Sequence, residues 1–210
     1  MDATSAIVGF AIVLVSLTVH EAAHAWTADR LGDPTARLLG RISLNPIVHI
    51  DPIGTVLLPL IAAISGLPII GWAKPVPVNI SRLRRGRRDF MIVAAAGPIS
   101  NLLQAMLAAF VVRALWSDQG ISAPSNESVL LSVLFQFVQI NVLLALFNLI
   151  PVPPLDGGNV LAGLLPESAA HAFDSIRQFG FIILYALMLT GMLSTLIIPP
   201  ARFLLGLLLP

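Results

Sequence analysis

The chain contains no cysteine. Disulfides and thiolate metal ligands are therefore excluded, and any transition metal would have to be held by histidine and carboxylate. Charge is scarce as well: Asp, Glu, Lys and Arg make up 11% of the 210 residues, where a soluble domain carries about a quarter. With 57% hydrophobic residues and a mean hydropathy of +0.90, most of the chain is expected to be solvated by lipid. A basic start is missing too. Met1 to Ser5 holds Asp2 and neither Lys nor Arg, which argues against a cleavable leader and predicts that the first helix is retained. The net charge of +1 says little about partners.

What is present is a series of apolar runs, at 6–28, 53–70, 91–115, 129–150 and 179–198, with a further apolar tail at 203–209 after Pro199-Pro200. Runs of this length predict an all-α, polytopic transmembrane helical bundle, organised as one integral-membrane domain over 1–210. Between 29 and 89 lie Arg30, Arg37, Arg41, Lys74, Arg82, Arg84, Arg85, Arg87 and Arg88 against four acidic residues, whereas the connection 117–128 has Asp118 and Glu127 and no basic residue. The positive-inside rule places the first region in the cytoplasm and the second outside. If both basic flanks of 53–70 share the cytoplasmic side, that run is a short re-entrant or interfacial segment. Asp51-Pro52, Pro59 and Gly66 weaken it as a spanning helix. A full crossing is the alternative.

The first run carries His20-Glu21-Ala22-Ala23-His24. Ionisable groups at membrane depth are costly and normally face a cavity or a metal. Positions four apart share one face of a helix, so His20 and His24 can aim an imidazole nitrogen each at a single Zn²⁺, with the Glu21 carboxylate beside them as a general base. The alternative is a pair of buried histidines bonded to neighbouring helices. A second cluster, Phe147 to Gly158, places Pro151, Pro153 and Pro154 after the helical run at 129–150 and follows them with Asp156-Gly157-Gly158. The prolines break the helix and the glycines allow tight turns. Unwound backbone at membrane depth needs a polar pocket, which makes Asp156 the candidate third ligand. It is also readable as the cap of a short helix at 158–165.

The three residues can meet only if the C-terminal ends of the first helix and of 129–150 lie on one side of the membrane. With 91–115 as the sole crossing between them the ends coincide; with 53–70 also crossing they oppose. Metal geometry and charge asymmetry thus agree on a re-entrant 53–70, an outside N-terminus and a site opening to the cytoplasm.

His20 to His24, the later Ala96-Gly97-Pro98-Ile99-Ser100-Asn101, and Asn148-Leu149-Ile150-Pro151-Val152-Pro153-Pro154-Leu155-Asp156-Gly157 together resemble the site-2 protease family of intramembrane zinc metalloproteases. Gly40 to Pro46, His49, Asp51-Pro52, Gly54 and Gly71 to Val78 are similar to a compact prokaryotic branch, with no room for a PDZ-like or CBS-like domain. The resemblance implies zinc held by His20, His24 and Asp156, Glu21 as general base and then proton donor to the leaving amine, and Asn148 hydrogen-bonding the substrate backbone. It implies hydrolysis of a peptide bond within or near a transmembrane segment of a membrane-protein substrate, in a prokaryotic cell membrane.

The same implied zinc ligands would serve a non-catalytic zinc-binding or transport protein, although transport needs no Glu21 and no repeated halves are visible. Asn148 is also readable as a helix-terminal residue satisfying carbonyls, and Asn101, Gly97 and Pro98 as helix packing and a kink. His49 reads as structural, with a transient metal ligand or a gate beside Asp51 as the alternative, and His171 as exposed. Arg82 to Arg88 reads as a membrane-surface anchor on anionic lipid, not as a nucleic-acid site. An unwound substrate would pair with 53–70 or with the Pro-rich stretch 74–80. Oligomeric state is not written in the sequence.

Overall fold

A computed structural model describes residues 3–65, 71–118 and 129–210. The end of the 53–70 run, with Gly66, and nearly all of the acidic connection at 117–128 lie outside the described residues. All regular structure among the described residues is helical.

Helix α1 (Ala3–Arg30) is apolar on nearly every side, the pattern of a membrane span. A short α2 (Thr35–Leu38) follows. Asp51 then opens the next segment: its Oδ1 accepts the N–H groups of Ile53 (3.0 Å) and Gly54 (2.7 Å), satisfying donors that a helix start leaves bare. A wide π-type turn (Pro52–Leu57) leads into α3 (Leu58–Ser65). Helix over 52–65 reaches at most about 21 Å at about 1.5 Å per residue, short of a hydrocarbon core of about 30 Å.

The chain then comes back. Trp72 N–H donates to the Gly54 carbonyl (3.1 Å), Lys74 N–H to the His49 carbonyl (2.9 Å), and Thr55 Oγ1 to the Trp72 carbonyl (2.8 Å). An excursion whose two ends are hydrogen-bonded to each other starts and finishes on one side. The segment therefore ends on the side where it began, as a re-entrant or interfacial segment does, and residues 71–79 form a strap at its exit.

Helices α4 (Arg87–Asp118) and α5 (Val129–Asn148) complete the centre with α1. Ala105, Ala108 and Ala109 on α4 let Val138 and Val142 of α5 pack close, as small residues do where backbones must approach in lipid. Leu107 and Phe110 point outward, 70% and 74% exposed, a surface suited to acyl chains and not to water. Beyond α5 come α6 (Asp156–Leu164), α7 (Glu167–Ile176), α8 (Gly180–Leu189) and α9 (Met192–Leu208).

Four stretches, 4–30, 87–116, 129–148 and 167–189, are long and apolar enough to cross a membrane, which makes this a multi-pass bundle. The fourth differs in kind. Its first half is α7, whose Asp174 pairs with Arg87 at the mouth of α4 (2.6 Å), so that half lies against the arginine-rich end of the molecule.

The sequence sets 179–198 and 203–209 apart and leaves open whether they form one crossing or a broken pair. The chain turns at Gly191, in the left-handed region at φ 75°, and α9 runs through Pro199 and Pro200 without a break. Packing holds it on both sides of the prolines: Ala201 is buried against α4 and α5, and Arg113 donates to the terminal carbonyls of Leu207 (2.7 Å) and Leu208 (2.8 Å). Neighbouring helices can thus keep a proline pair inside a helix that the pair alone would end.

Candidate metal centre

His20 and His24 lie on successive turns of α1, buried, with their Nε2 atoms 3.0 Å apart. The start of α6 brings Asp156 Oδ2 to 3.1 Å from His20 Nε2 and 3.3 Å from His24 Nε2. Glu21 stands beside them, with the ligand atoms of His20, Glu21 and His24 all within 4.8 Å of one another. Asp156 does not cap α6; its carboxylate is turned to the histidines.

The protonation pattern follows from the partners. His24 Nδ1 is 2.7 Å from the Val93 carbonyl, which can only accept, so this nitrogen carries the hydrogen. His20 Nδ1 faces Asn101 Oδ1 at 2.6 Å. With their Nδ1 atoms so engaged, both imidazoles turn Nε2 toward each other and toward Asp156 Oδ2. Three such atoms this close need positive charge among them, as a metal ion or as a proton on an imidazole nitrogen. Zinc bonds of about 2.0–2.1 Å at the tetrahedral angle space ligands about 3.3 Å apart. Separations of 3.0, 3.1 and 3.3 Å fit that spacing, and two nitrogens with one carboxylate oxygen are a donor set zinc accepts.

The local sequence makes this convergence possible. Val93, Gly97 and Asn101 recur every four residues on one face of α4, antiparallel to α1. The outer two hold His24 and His20, and the middle one is small for a reason: a Cβ at Gly97 would lie 2.4 Å from His24 Nε2 and 2.6 Å from His20 Cε1. Sequence reasoning assigned Gly97 and Asn101 to packing alone and missed the hydrogen bond. A polar Asn in an apolar helix, one turn from a glycine, was the available signal.

Gly157 and Gly158 are also corrected. They were read as turn residues, but they occupy the first turn of α6 at ordinary helical φ. Their lack of a side chain is what matters, because a Cβ at Gly157 would meet the Leu149 carbonyl oxygen at 2.2 Å. The proline run at 151–154 ends α5, and α6 tucks tightly beneath it.

Asn148 lines the cavity over the site, with its amide nitrogen donating to the Leu144 carbonyl of its own helix (3.0 Å). His49 is buried and structural: its Nε2 meets the Ser43 carbonyl at 2.8 Å. Buried Arg41 donates to the Lys74 carbonyl and so holds the strap. Burial lowers the pKa of Arg41 against the pull of the Glu21 carboxylate. The strap reaches the site itself, where Val76 N–H donates to Glu21 Oε2 (3.0 Å). Its far end is tied by Asn79 N–H to Asp33 Oδ2 (2.6 Å). Burial pushes the Asp33 carboxyl up, but bonds from Thr35 and Asn79 and the charge of Arg82 outweigh it and hold the group below its ordinary value. His171 is exposed.

Above the four residues opens a cavity of about 740 Å³. Phe10, Val13, Leu14 and Leu17 of α1 wall one side, Phe181 and Leu184 of α8 another, and Trp72 of the strap packs on Phe181 with ring centres 6.2 Å apart. It can take an apolar chain segment and bring it to the carboxylate and imidazoles.

Comparison with known proteins bears on what that cavity serves. The model of peptidase family M50 matches residues 119–191. A Bacillus subtilis (strain 168) protein named "Putative zinc metalloprotease YwhC" is 38% identical over 188 residues, which cover 89% of this chain and 82% of that protein. The chain belongs to peptidase family M50. Within that family it is also 33% identical, over 183 residues, to the protein named "Putative zinc metalloprotease Rip2" from Mycolicibacterium smegmatis and to its namesake from Mycobacterium tuberculosis H37Rv. Those alignments cover 86% of this chain and 66% of either relative. No solved structure matches significantly. M50 membership, the resemblance drawn from the sequence, the apolar helices and the metal-compatible group together identify a membrane zinc metalloprotease.

Proposed function

We propose that this protein hydrolyses peptide bonds within or beside a transmembrane segment of a membrane-protein substrate, with its site opening toward the cytoplasm of a prokaryotic cell. The observation that carries the reading is depth. His20 and His24 lie ten and six residues before Arg30, where α1 ends, hence about 15 and 9 Å along the helix axis from that polar end. About 15 Å is half of a typical hydrocarbon core, and the cavity walls at that level are apolar. An apolar substrate segment can enter there while water reaches the carboxylates.

Zinc, held by His20, His24 and Asp156, would supply Lewis-acid polarisation of the scissile carbonyl and lower the pKa of a water molecule. Glu21 takes the proton from the attacking water on its carboxylate and passes it to the leaving amine. Its Oε2 is already positioned by Val76 N–H at 3.0 Å. The peptide bond must first leave its helix, because in a helix it is hydrogen-bonded and shielded. The strap is suited to receive it. Trp72, Lys74 and Val76 already donate their N–H groups to Gly54, His49 and Glu21, and Pro75 and Pro77 have none, so a substrate lying along the strap would donate its own N–H groups to strap carbonyls. Asn148, from the rim, would hold a substrate carbonyl or N–H. Arg82 to Arg88 would rest on anionic headgroups.

The test is mass spectrometry of single-span membrane proteins incubated with the purified protein in liposomes, alongside Glu21→Gln. Cuts inside or at the edge of the apolar span, absent with Glu21→Gln, are expected. Cuts confined to soluble loops, or unchanged by Glu21→Gln, would remove the proposal.

A further inference from the structure

His24 and His20 have their ring protons fixed by different means. For His24 the Val93 carbonyl suffices. His20 faces an amide, and an amide can turn over and offer nitrogen in place of oxygen. Something must hold Asn101 the right way round.

The structure contains that device. Asn101 Nδ2 donates to Asn141 Oδ1 (2.9 Å), and Asn141 Nδ2 donates both to Ser16 Oγ (2.8 Å) and to the Phe137 carbonyl (3.0 Å). Ser16, Asn101 and Asn141 are all fully buried at 0% exposure, so no water competes for these bonds. The chain starts on α1 at Ser16, crosses α5 and α4, and returns to α1 one turn later at His20. Its polarity is forced from one end. The Phe137 carbonyl can only accept, so the Asn141 nitrogen must face it. The Asn141 oxygen then faces Asn101, which must answer with its nitrogen, leaving the Asn101 oxygen for His20. His20 Nδ1 must in turn carry the hydrogen, and Nε2 is left bare toward the metal position.

We propose that Asn101 and Asn141 are positioning residues that lock His20 in its Nδ1-protonated, metal-ready form, with the direction of the lock set by the Phe137 carbonyl on α5. Neither touches substrate or the reacting atoms. The inference rests on His20 being a metal ligand. Groups that orient the far nitrogen of a ligating histidine typically change metal affinity by about 10–100-fold, and that is the effect to read.

The experiment measures zinc affinity of the purified full-length protein in detergent by competition with a chromophoric chelator. Asn101→Leu removes the acceptor and is expected to weaken zinc binding by about 10–100-fold. Asn101→Asp keeps an acceptor for His20 Nδ1–H and, held as the neutral acid by its apolar surroundings, an O–H for Asn141 Oδ1, and is expected to recover affinity to within about threefold of the parent. Packing alone gives the opposite order, since a buried acid fits an apolar bundle worse than leucine does. Asn141→Leu, which frees Asn101 to turn over, is expected to fall between the two and serves if Asn101→Leu does not fold. Ser16→Ala leaves the Phe137 carbonyl in control and is expected to change little.

Unchanged affinity in Asn101→Leu, no recovery in Asn101→Asp, or a loss in Ser16→Ala as large as in Asn101→Leu would each overturn the proposal. His20→Ala is measured alongside. No loss there would fell the ligand reading itself, whereas loss there with none in Asn101→Leu overturns only the lock.

Discussion

Replacing Gly97 with alanine tests the central packing of the site with a single methyl group. Its carbon would stand 2.4 Å from His24 Nε2, 2.5 Å from His24 Cε1 and 2.6 Å from His20 Cε1. Carbon contacts are comfortable from about 3.5 Å, so the rings must retreat by roughly 1 Å or α4 must back away from α1. Neither is free to do so, because the His24 and His20 rings are tied to Val93 and Asn101 on α4, four residues to either side of Gly97. Overpacking of this kind costs about 1–3 kcal/mol, and a displacement of about 1 Å in a reacting group costs on the order of 100-fold in rate. The assay is zinc content after dialysis together with cleavage of a liposome-embedded substrate. Gly97→Ala is expected to lose most of both. Gly206→Ala is the control, since nothing lies within 4 Å of that position. A Gly97→Ala protein with zinc and activity within about threefold of the parent would refute the reasoning, as it would show that the helices have slack the structure denies.

Three further outcomes follow from other contacts. Gly157→Ala drives a methyl carbon into the carbonyl oxygens of Leu149 and Ile150, at 2.2 and 2.5 Å; α6 must swing out with Asp156, so zinc content should fall while the Gly206→Ala control stays loaded. Asp33, whose folded pKa is depressed, stabilises the fold above the ordinary carboxyl value of about 3.9 and loses that contribution as pH falls through its lower folded value. Asp33→Asn should therefore cost about 1–3 kcal/mol at neutral pH, with the gap between parent and variant closing below about pH 4 in thermal melts; a gap independent of pH would contradict this. Arg41→Met leaves the Lys74 carbonyl without its donor and loosens the strap, which should raise KM for a membrane substrate more than it lowers kcat, as read from initial rates in liposomes.

The sequence disclosed which side chains would meet more readily than the scaffolding that brings them together. His20, Glu21 and His24 were legible because helical spacing alone puts the two imidazoles on one face. Asp156 was legible because proline-broken backbone in an apolar chain needs a polar purpose, and because crossing parity required a re-entrant 53–70 for it to arrive. The bonds from Trp72 and Lys74 back to Gly54 and His49 agree with that parity. Close packing at Gly97 was legible, but the rings it packs against and the hydrogen bond of Asn101 to His20 were not, since they depend on the register of α4 against α1, which no local pattern encodes. Gly157 was misread because a glycine after prolines suggests a turn, whereas the reason for it is a carbonyl from a different stretch of chain. The course of the chain through Pro199-Pro200 was left open for the same cause: burial of Ala201 and the reach of Arg113 are tertiary facts.

The most direct measurement is the zinc stoichiometry of the purified protein and of its Asp156→Ala and Glu21→Gln variants. About one zinc per chain is expected in the parent and in Glu21→Gln, with Asp156→Ala nearly empty. Full zinc occupancy in Asp156→Ala would contradict a metal shared by His20, His24 and Asp156.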